Sequence, residues 1–326
     1  MNQENERRLV HGDFVEVLSA DEIAATLDQQ GSLDRLPFMP EMLACLGKRF
    51  RVSRRVEHFS FDGDETCADE SSVRAFPDND VVVLDGVRCS GAAHDGCKRG
   101  CTIFWKEAWL KSPSADTTSS HPGNTEHLVE QLKTKNELNP ELYFCQSSQL
   151  LIATHPLSWK ERIRRCIRNV TTGNYRATEM ARNLVVWFSV RGREKLFGAF
   201  PAGKLEKTPA KSLDLQVGEL VEVKSLAEIK ETLNSRGQNR GLHFAPEMIS
   251  YCGRRLRVAA RADRMITEGI GKMRSMKNTV ILENSVCDSA TWAFGACPRQ
   301  DHIYWREIWL RRVVDVNLDS AASGAI

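Results

Sequence analysis

Four residues of types that commonly bind metals lie within thirteen positions of one another. Cys89, Cys97 and Cys101 have the spacing Cys-x7-Cys-x3-Cys, and His94 lies three residues before the second cysteine. Thiolates and imidazoles are the usual ligands of zinc, and thiolates also hold iron–sulfur clusters. Glycines at positions 91, 96 and 100 allow the intervening backbone to turn sharply. The segment is therefore predicted to be a loop whose side chains converge on one metal centre.

Two cysteines outside this loop are candidates to complete the site. Cys67 lies upstream in a variable stretch, and Cys145 follows in the sequence Tyr143-Phe144-Cys145-Gln146. The spacing matches neither a standard zinc ribbon nor a bacterial ferredoxin, so reduced cysteines that are buried or redox-active are the alternative. The ligands predicted for a zinc ion or an iron–sulfur cluster are Cys67, Cys89, His94, Cys97, Cys101 and Cys145.

The chain contains the same module twice. Residues 12–52 align without a gap to residues 218–258, at a constant offset of 206. A repeat of this length indicates a duplicated domain of roughly 100 residues. After a variable stretch the copies converge again, and the matched pairs are Cys89 and Cys287, Cys97 and Cys297, Trp105 and Trp305, and Trp109 and Trp309.

The second copy lacks part of the candidate ligand set. Asp301 stands at the position of Cys101, and Phe294 stands at the position of His94. Because two thiols rarely hold a structural ion alone, the second site is predicted to be vestigial. The alternatives are that the two remaining cysteines of that copy complete a shared site or form a redox pair.

The elements that must position these residues are short. Each copy begins with alternating apolar and polar residues, which is the period of a half-buried strand. Ser19 and Ser225 each precede a glutamate by three residues, the spacing of a capping box, and the helix that follows is predicted to end at Gly31 or Gly237. Short strands with one small helix favour a small closed antiparallel barrel. The predicted fold is mainly β with an α connector: two tandem SH3-like small β-barrels joined by a helical segment.

The predicted domain boundaries follow the repeats and the composition between them. A linker rich in Ser, Thr, Asp and Pro follows the first copy, and helices are predicted beyond it at 159–170 and 178–190. The domains are an N-terminal tail at 1–11, a first module with the cysteine-rich metal loop at 12–112, a linker and helical connector at 113–211, a second module with a degenerate site at 212–316, and a C-terminal tail at 317–326.

Several conspicuous residues are explained by structure rather than by chemistry. The four matched tryptophans are predicted to pack in the cores. The helix at 159–170 carries five basic residues, and we expect these to face solvent rather than lipid or RNA. Glu41 is predicted to form a buried salt bridge with Arg49. No catalytic residue is predicted, because no nucleophile elbow, phosphate-binding loop or pair of carboxylates is present in the sequence.

Several segments of the chain resemble those of a bacterial protein group of unassigned function that carries the duplicated module. The resemblance rests on Leu36-Pro-Phe-Met-Pro-Glu-Met, Gly47-Lys-Arg-Phe-Arg-Val, the cysteine loop, Phe104-Trp-Lys-Glu-Ala-Trp-Leu and Cys145-Gln, and it covers most of the chain, including the connector. It implies a shared cysteine site and, through gene neighbourhoods for polysaccharide or secondary-metabolite assembly, an accessory role in a biosynthetic pathway. This chain has Ala-Ala-His-Asp-Gly-Cys where the group has His-Gly-Gly-Cys, a change expected to leave the ligands intact.

Composition narrows the class of function. The 326 residues are 41% hydrophobic and 27% charged, and the formal net charge of +2 gives little support to nucleic-acid binding. We expect a cytoplasmic protein, because the sequence has no apolar leader and no stretch long enough to span a bilayer. The predicted function is a non-catalytic binding or scaffold protein, in which the metal fixes a loop that a protein partner recognises. The alternatives are an iron–sulfur redox protein or enzyme and a nucleic-acid-binding protein.

Overall fold

A computed structural model describes residues 8–61, 72–113, 123–288 and 290–313. The described residues form nineteen strands, and they fall into two compact units. Two segments of the second repeat belong to the first unit, so the unit boundaries do not follow the repeat boundaries. The first unit takes its described residues from Met1–Trp187, Arg264–Arg274 and Ser289–Asp301, and the second from Phe188–Asp263, Ser275–Asp288 and His302–Ile326.

The first repeat consists of short strands and one short helix. In chain order these are β1 (Phe14–Val17), α1 (Ala20–Ala24), β2 (Ser32–Leu33), β3 (Leu36–Pro37), β4 (Arg49–Arg55), β5 (Phe59–Ser60), β6 (Val73–Ala75), β7 (Val81–Arg88), β8 (Thr102–Lys106) and β9 (Leu110–Lys111).

Five of these strands form a curled antiparallel half-barrel in the order β8-β7-β4-β1-β9. In this sheet β1 lies between β4 and β9, with Phe14 opposite Arg51 of β4 and Val17 opposite Leu110 of β9. A single 3-10 turn at Glu107–Trp109 separates β8 from β9 and lets the chain cross from one edge of the sheet to the other. The returning strand pairs with β1 and so protects an edge that a small sheet would otherwise expose.

The sheet of the second repeat has the same strand order as that of the first. The elements of the second repeat are β11 (Leu220–Val223), α6 (Leu226–Lys230), β12 (Gln238–Asn239), β13 (Leu242–His243), β14 (Arg255–Arg261), β15 (Arg264–Ile266), β16 (Met273–Ser275), β17 (Thr279–Val286), β18 (His302–Arg306) and β19 (Leu310–Arg312). Five of these strands form a sheet in the order β18-β17-β14-β11-β19.

The matched tryptophans lie in the cores, as predicted. In the first unit the Phe38 ring meets the edges of Trp105 and Trp109 at centroid distances of 6.3 and 5.3 Å. In the second unit the Phe244 ring meets its two tryptophans in the same way, at 6.2 and 5.2 Å. All four tryptophan side chains are fully buried, so they are not available to stack on a ligand.

The first helix begins as predicted but ends early. Ser19 and Glu22 form the capping box, and α1 then ends at Ala24 rather than at Gly31. The Asp28 carboxylate accepts backbone hydrogen bonds from the following residues and builds a turn, in which Gly31 has the positive φ of 69°. A side chain that competes for backbone amides in this way terminates the helix before its predicted end.

The segment between the repeats is largely helical. It contains α2 (Glu126–Gln131), α3 (Gln146–Ala153), β10 (His155–Pro156), α4 (Trp159–Thr171) and α5 (Ala177–Phe197). The prediction that the basic residues of α4 face solvent holds for Lys160 and Arg164, which are exposed. It is wrong for Arg162 and Arg165, which are 4% and 8% exposed, while Ile163 and Ile167 are 45% and 60% exposed. Arg165 is held inside because it donates a hydrogen bond to the backbone carbonyl of Glu57.

Candidate metal centre

Four cysteines line a single cavity in the first unit. Cys89 follows the end of β7, Cys97 and Cys101 lie in the loop that leads into β8, and Cys145 immediately precedes α3. The cavity has a volume of about 30 Å³, and its remaining wall is largely apolar, with Met39 among the contributing side chains. A single water needs about 10–15 Å³ on this measure, so the space between the thiols exceeds one water.

The loop from Cys89 to Cys101 is folded tightly on itself. The amide of Cys89 donates to the carbonyl of Cys101 at 2.9 Å, which closes the loop at its base. Inside the loop the amide of Gly96 donates to the carbonyl of Gly91 at 3.0 Å. Gly91 has a φ of 68°, and a Cβ at this position would lie 2.0 Å from the carbonyl oxygen of Cys97. Only glycine fits here, and this close approach helps to turn the cysteines towards one another.

Backbone amides point at several of the sulfurs. The Sγ atom of Cys97 accepts a hydrogen bond from the amide of Ile266 at 3.4 Å. The Cys145 sulfur faces the amides of Ser147 and Ser148 at the start of α3, and the Cys89 sulfur faces the amide of Gly91. Amide donors of this kind stabilise negative charge on sulfur and are a recurrent feature around metal-bound thiolates.

Burial makes these thiols poor acids in the absence of a cation. It raises the pKa of Cys101 to about 12 and that of Cys145 to about 11, and it also raises the pKa of Cys89. Ligating cysteines must be deprotonated, so a bound cation supplies the attraction that releases their protons. None of the nine described cysteines is in a disulfide, which leaves all four thiols of the cavity free to bind.

His94 lines the same cavity, but both of its ring nitrogens already have partners. Nδ1 lies 2.8 Å from an Oε1 atom of Glu41, and Nε2 lies 3.1 Å from the carbonyl oxygen of Phe144. A carbonyl can only accept, so Nε2 carries a hydrogen and has no lone pair to offer a metal. Burial would raise the pKa of Glu41, but the hydrogen bond and charge of His94 outweigh it and lower the pKa overall.

This pairing corrects the predicted salt bridge between Glu41 and Arg49. Glu41 pairs with His94, whereas Arg49 donates to Glu16 across the β1–β4 ladder at 3.1 Å. The alternating strand places Arg49 and Glu16 directly opposite each other, so local register decides that pair. Glu41 lies in the 3-10 turn at Pro40–Cys45, and its carboxylate accepts a hydrogen bond from the amide of Ala93 in the cysteine loop.

The spacing of the ligand atoms differs between the possible sites. Among the described residues, the only three ligand-type atoms that all lie within 4.8 Å of one another come from Glu41, Cys89 and His94. The four thiols around the cavity therefore contain no trio that is this close. They line a wider space than the triad does.

A network of buried charges lies beside the thiols. Arg99 and Arg299 line the cavity, and both donate to Glu268, at 2.6 and 2.7 Å. Asp301, which stands in place of a cysteine in the second repeat, binds Arg299 at 2.9 Å. The two segments that the second repeat contributes to the first unit thus supply a wall of the site, a role that the repeat alignment could not indicate.

The remaining predicted ligands have different placements. Cys67 lies outside the described residues. Cys287 belongs to the second unit, whereas Cys297 is buried in the first unit, where its sulfur faces the amides of Ser60 and Arg299. The structure therefore brings Cys89, Cys97, Cys101 and Cys145 to one cavity, with His94 in its wall. It adds Glu41, which the sequence analysis assigned to a salt bridge with Arg49, and Ile266 and Arg299, which no local sequence pattern indicated.

Comparison of the chain with models of protein families, with curated proteins and with solved structures finds no match. Within the part of the chain that the structure describes, every helix is too short or too polar to cross a bilayer.

Proposed function

We propose that the protein binds an iron–sulfur cluster through Cys89, Cys97, Cys101 and Cys145 and transfers electrons through it. The observation that carries this proposal is the convergence of four free thiols on one cavity from three separate parts of the fold. Four cysteine thiolates are the usual ligand set of both common cluster types.

The separation of the thiols supports a cluster over a single zinc ion. Zinc–sulfur bonds of about 2.3 Å in tetrahedral geometry place the sulfurs about 3.8 Å apart. Among the described residues no three of these thiols lie within 4.8 Å of one another, and the cavity between them has a volume of about 30 Å³. A cluster distributes its ligands over more than one iron and so requires the wider arrangement.

The surroundings also suit a negatively charged centre. Amides of Gly91, Ile266 and Ser148 face three of the sulfurs, and the guanidinium groups of Arg99 and Arg299 line the cavity. Hydrogen bonds to sulfur and nearby charge are two of the means by which a protein sets the reduction potential of a cluster.

The ligand count favours electron transfer over catalysis at the metal. Four protein thiolates leave no coordination position for a substrate, whereas catalytic metal sites keep one open. His94 supports the site through its bond to Glu41 rather than as a ligand. An electron carrier requires a redox partner, so the proposed protein partner is one that donates electrons to the cluster or accepts them from it.

The broader assignments form part of the same proposal. The strand order, in which the last strand returns through a 3-10 turn to pair with the first, supports classing both modules as SH3-like barrels. The absence of a disulfide among the four cavity cysteines favours a reducing compartment such as the cytoplasm. The likeness to bacterial proteins with the duplicated module adds an accessory role in a biosynthetic pathway.

A zinc-binding scaffold is the second candidate, and the triad of Glu41, Cys89 and His94 is the observation that favours it. Carboxylate, thiolate and imidazole are all zinc ligands. Against it, the two ring nitrogens of His94 already bind Glu41 and Phe144, so ligation would break both hydrogen bonds.

The visible absorption of protein purified without oxygen tests the proposal. Wild type is expected to be coloured, and each serine replacement of Cys89, Cys97, Cys101 or Cys145 is expected to reduce the cluster absorption. Cys166→Ser is the matched control, because Cys166 is also buried in the first unit but lies in α4 away from the cavity lining. A colourless wild type that contains zinc would refute the cluster, and equal colour in all five variants would refute the ligand assignment.

A further inference from the structure

The two repeats hold a buried cation at the same position, at the end of the strand that precedes the last 3-10 turn, but they surround it with different charges. In the first unit this cation is Lys106, which is 1% exposed. Its Nζ atom lies 2.7 Å from a carboxylate oxygen of Asp34 and 3.0 Å from one of Asp80. Two carboxylates thus compensate the buried charge, as a buried ion requires.

The second repeat has replaced both carboxylates. The cation is Arg306, and the constant offset of 206 places Arg240 at the position of Asp34. Asn278 occupies the place of Asp80: each immediately precedes the third strand of its sheet, and each carbonyl accepts the amide hydrogen of the residue after the buried cation. The second unit has therefore lost two negative charges and gained one positive charge at this place.

Within the part of the chain that the structure describes, Arg306 donates hydrogen bonds to neutral groups only. Its guanidinium donates to the carbonyls of Asn239, Arg240 and Lys277 and to the hydroxyl of Thr279, at 2.8 to 3.3 Å. Burial, together with the charge of Arg240, lowers the pKa of Arg306 to about 10, so the group remains charged at neutral pH. Among the described residues no carboxylate forms an ion pair with it. A buried charge without a counter-ion is unfavourable unless a ligand supplies one.

Further cations surround a small cavity at the same place. Lys211, Arg240, Lys277 and Asn278 line it together with Arg306, and the cavity has a volume of about 10 Å³. Neither lysine nor Arg240 forms an ion pair with a described carboxylate, and all three are exposed. The nearest carboxylate in sequence, Glu307, is fully buried and is bound by the amides of residues 213–215.

We propose that the cationic side chains around this cavity in the second unit bind the phosphate group of a small phosphorylated molecule or a free phosphate ion. Lysine and arginine side chains with an asparagine amide provide several donors and no competing acceptor charge, which is the chemistry that recognises tetrahedral oxyanions. The cavity itself has room for no more than about one water, so the phosphate group lies at its mouth, among the exposed side chains of Lys211, Arg240 and Lys277, and the rest of the molecule stays in solvent. The site is independent of the cluster in the first unit.

Calorimetric titration at low ionic strength tests the proposal with inorganic phosphate and glycerol 3-phosphate as separate probes. Arg240→Asp restores the residue type of the first repeat and is expected to weaken binding at least tenfold. Arg236→Asp makes the same change of charge at an exposed residue outside the cavity lining, and it is expected to bind like wild type. Because both positions are exposed, neither change disturbs the core.

The two probes distinguish the sources of the ligand. Tighter binding of the ester supports a phosphorylated small molecule, and tighter binding of the inorganic ion supports free phosphate. A bound anion is also expected to raise the melting temperature of the wild type but not of Arg240→Asp. The proposal is overturned if wild type binds neither probe, or if Arg240→Asp and Arg236→Asp bind with equal affinity.

Discussion

His58 gives a quantitative test of how the first unit is assembled. Its side chain is fully buried, and its Nε2 atom lies 2.7 Å from the carbonyl oxygen of Ala293, in the loop that the second repeat contributes. Burial lowers the pKa of His58 from 6.5 to about 4; the hydrogen bond to Ala293 opposes this, and the charges of Arg165 and Arg162 add to it. His58 is thus neutral in the fold at every pH above about 4.

The sign and size of the effect on stability follow from these two values. Between pH 6.5 and about 4 the unfolded chain binds a proton at His58 and the folded chain does not, so stability is lost as the pH falls. At 1.36 kcal/mol per pKa unit the full contribution is about 3 kcal/mol, of which about 2 kcal/mol is lost between pH 7 and pH 5.

Urea unfolding of wild type and His58→Gln at pH 7 and pH 5, followed by tryptophan fluorescence, measures this contribution. Glutamine keeps an amide donor but cannot titrate, so the wild type is expected to lose about 2 kcal/mol more than the variant over this range. His127→Gln, at an exposed position, is expected to behave like wild type. Equal losses in wild type and His58→Gln would refute the burial of His58 against the loop of the second repeat.

Two further substitutions test the packing of the cysteine loop from Cys89 to Cys101. Gly91→Ala and Gly96→Ala both place a side chain at positive φ, at roughly 1 kcal/mol each, but only the first also puts a Cβ 2.0 Å from the carbonyl of Cys97. We expect Gly91→Ala to lose metal and Gly96→Ala to retain it, as measured by metal content; equal retention would contradict the geometry. Gln146→Ala removes hydrogen bonds to both backbone groups of a residue in β8 and should lower the free energy of unfolding by about 3 kcal/mol, whereas the half-buried Gln149→Ala should lower it by less than 1 kcal/mol in the same urea titration.

Features set by local sequence could be predicted. The capping boxes at Ser19 and Ser225 form as expected, because a hydroxyl and a glutamate three residues apart satisfy each other's backbone partners. The four tryptophans are buried, because large aromatic residues repeated at equal positions serve the same core. The grouping of Cys89, Cys97 and Cys101 around one cavity could also be predicted, because their close spacing and the glycines between them are local properties of the sequence.

Features set by contacts distant in sequence could not be predicted. The burial of Arg165 on α4 depends on Glu57. The backbone carbonyl of Glu57 accepts a hydrogen bond from Arg165, and its carboxylate lies 3.2 Å from the guanidinium of Arg168. The pairing of Glu41 with His94 depends on the packing of the turn at Pro40–Cys45 against the cysteine loop. The alternation of residues along a strand carries no information about this packing. The assignment of 264–274 and 289–301 to the first unit arises from tertiary packing that overrides the repeat boundaries.

The iron and acid-labile sulfide content of protein purified without oxygen tests the central claim most directly. Four cysteine ligands around an iron–sulfur core predict iron and sulfide in equal amounts, with both lost together in Cys145→Ser and both retained in Cys166→Ser. Zinc in place of iron, or iron without sulfide, would contradict the assignment of a cluster to this cavity.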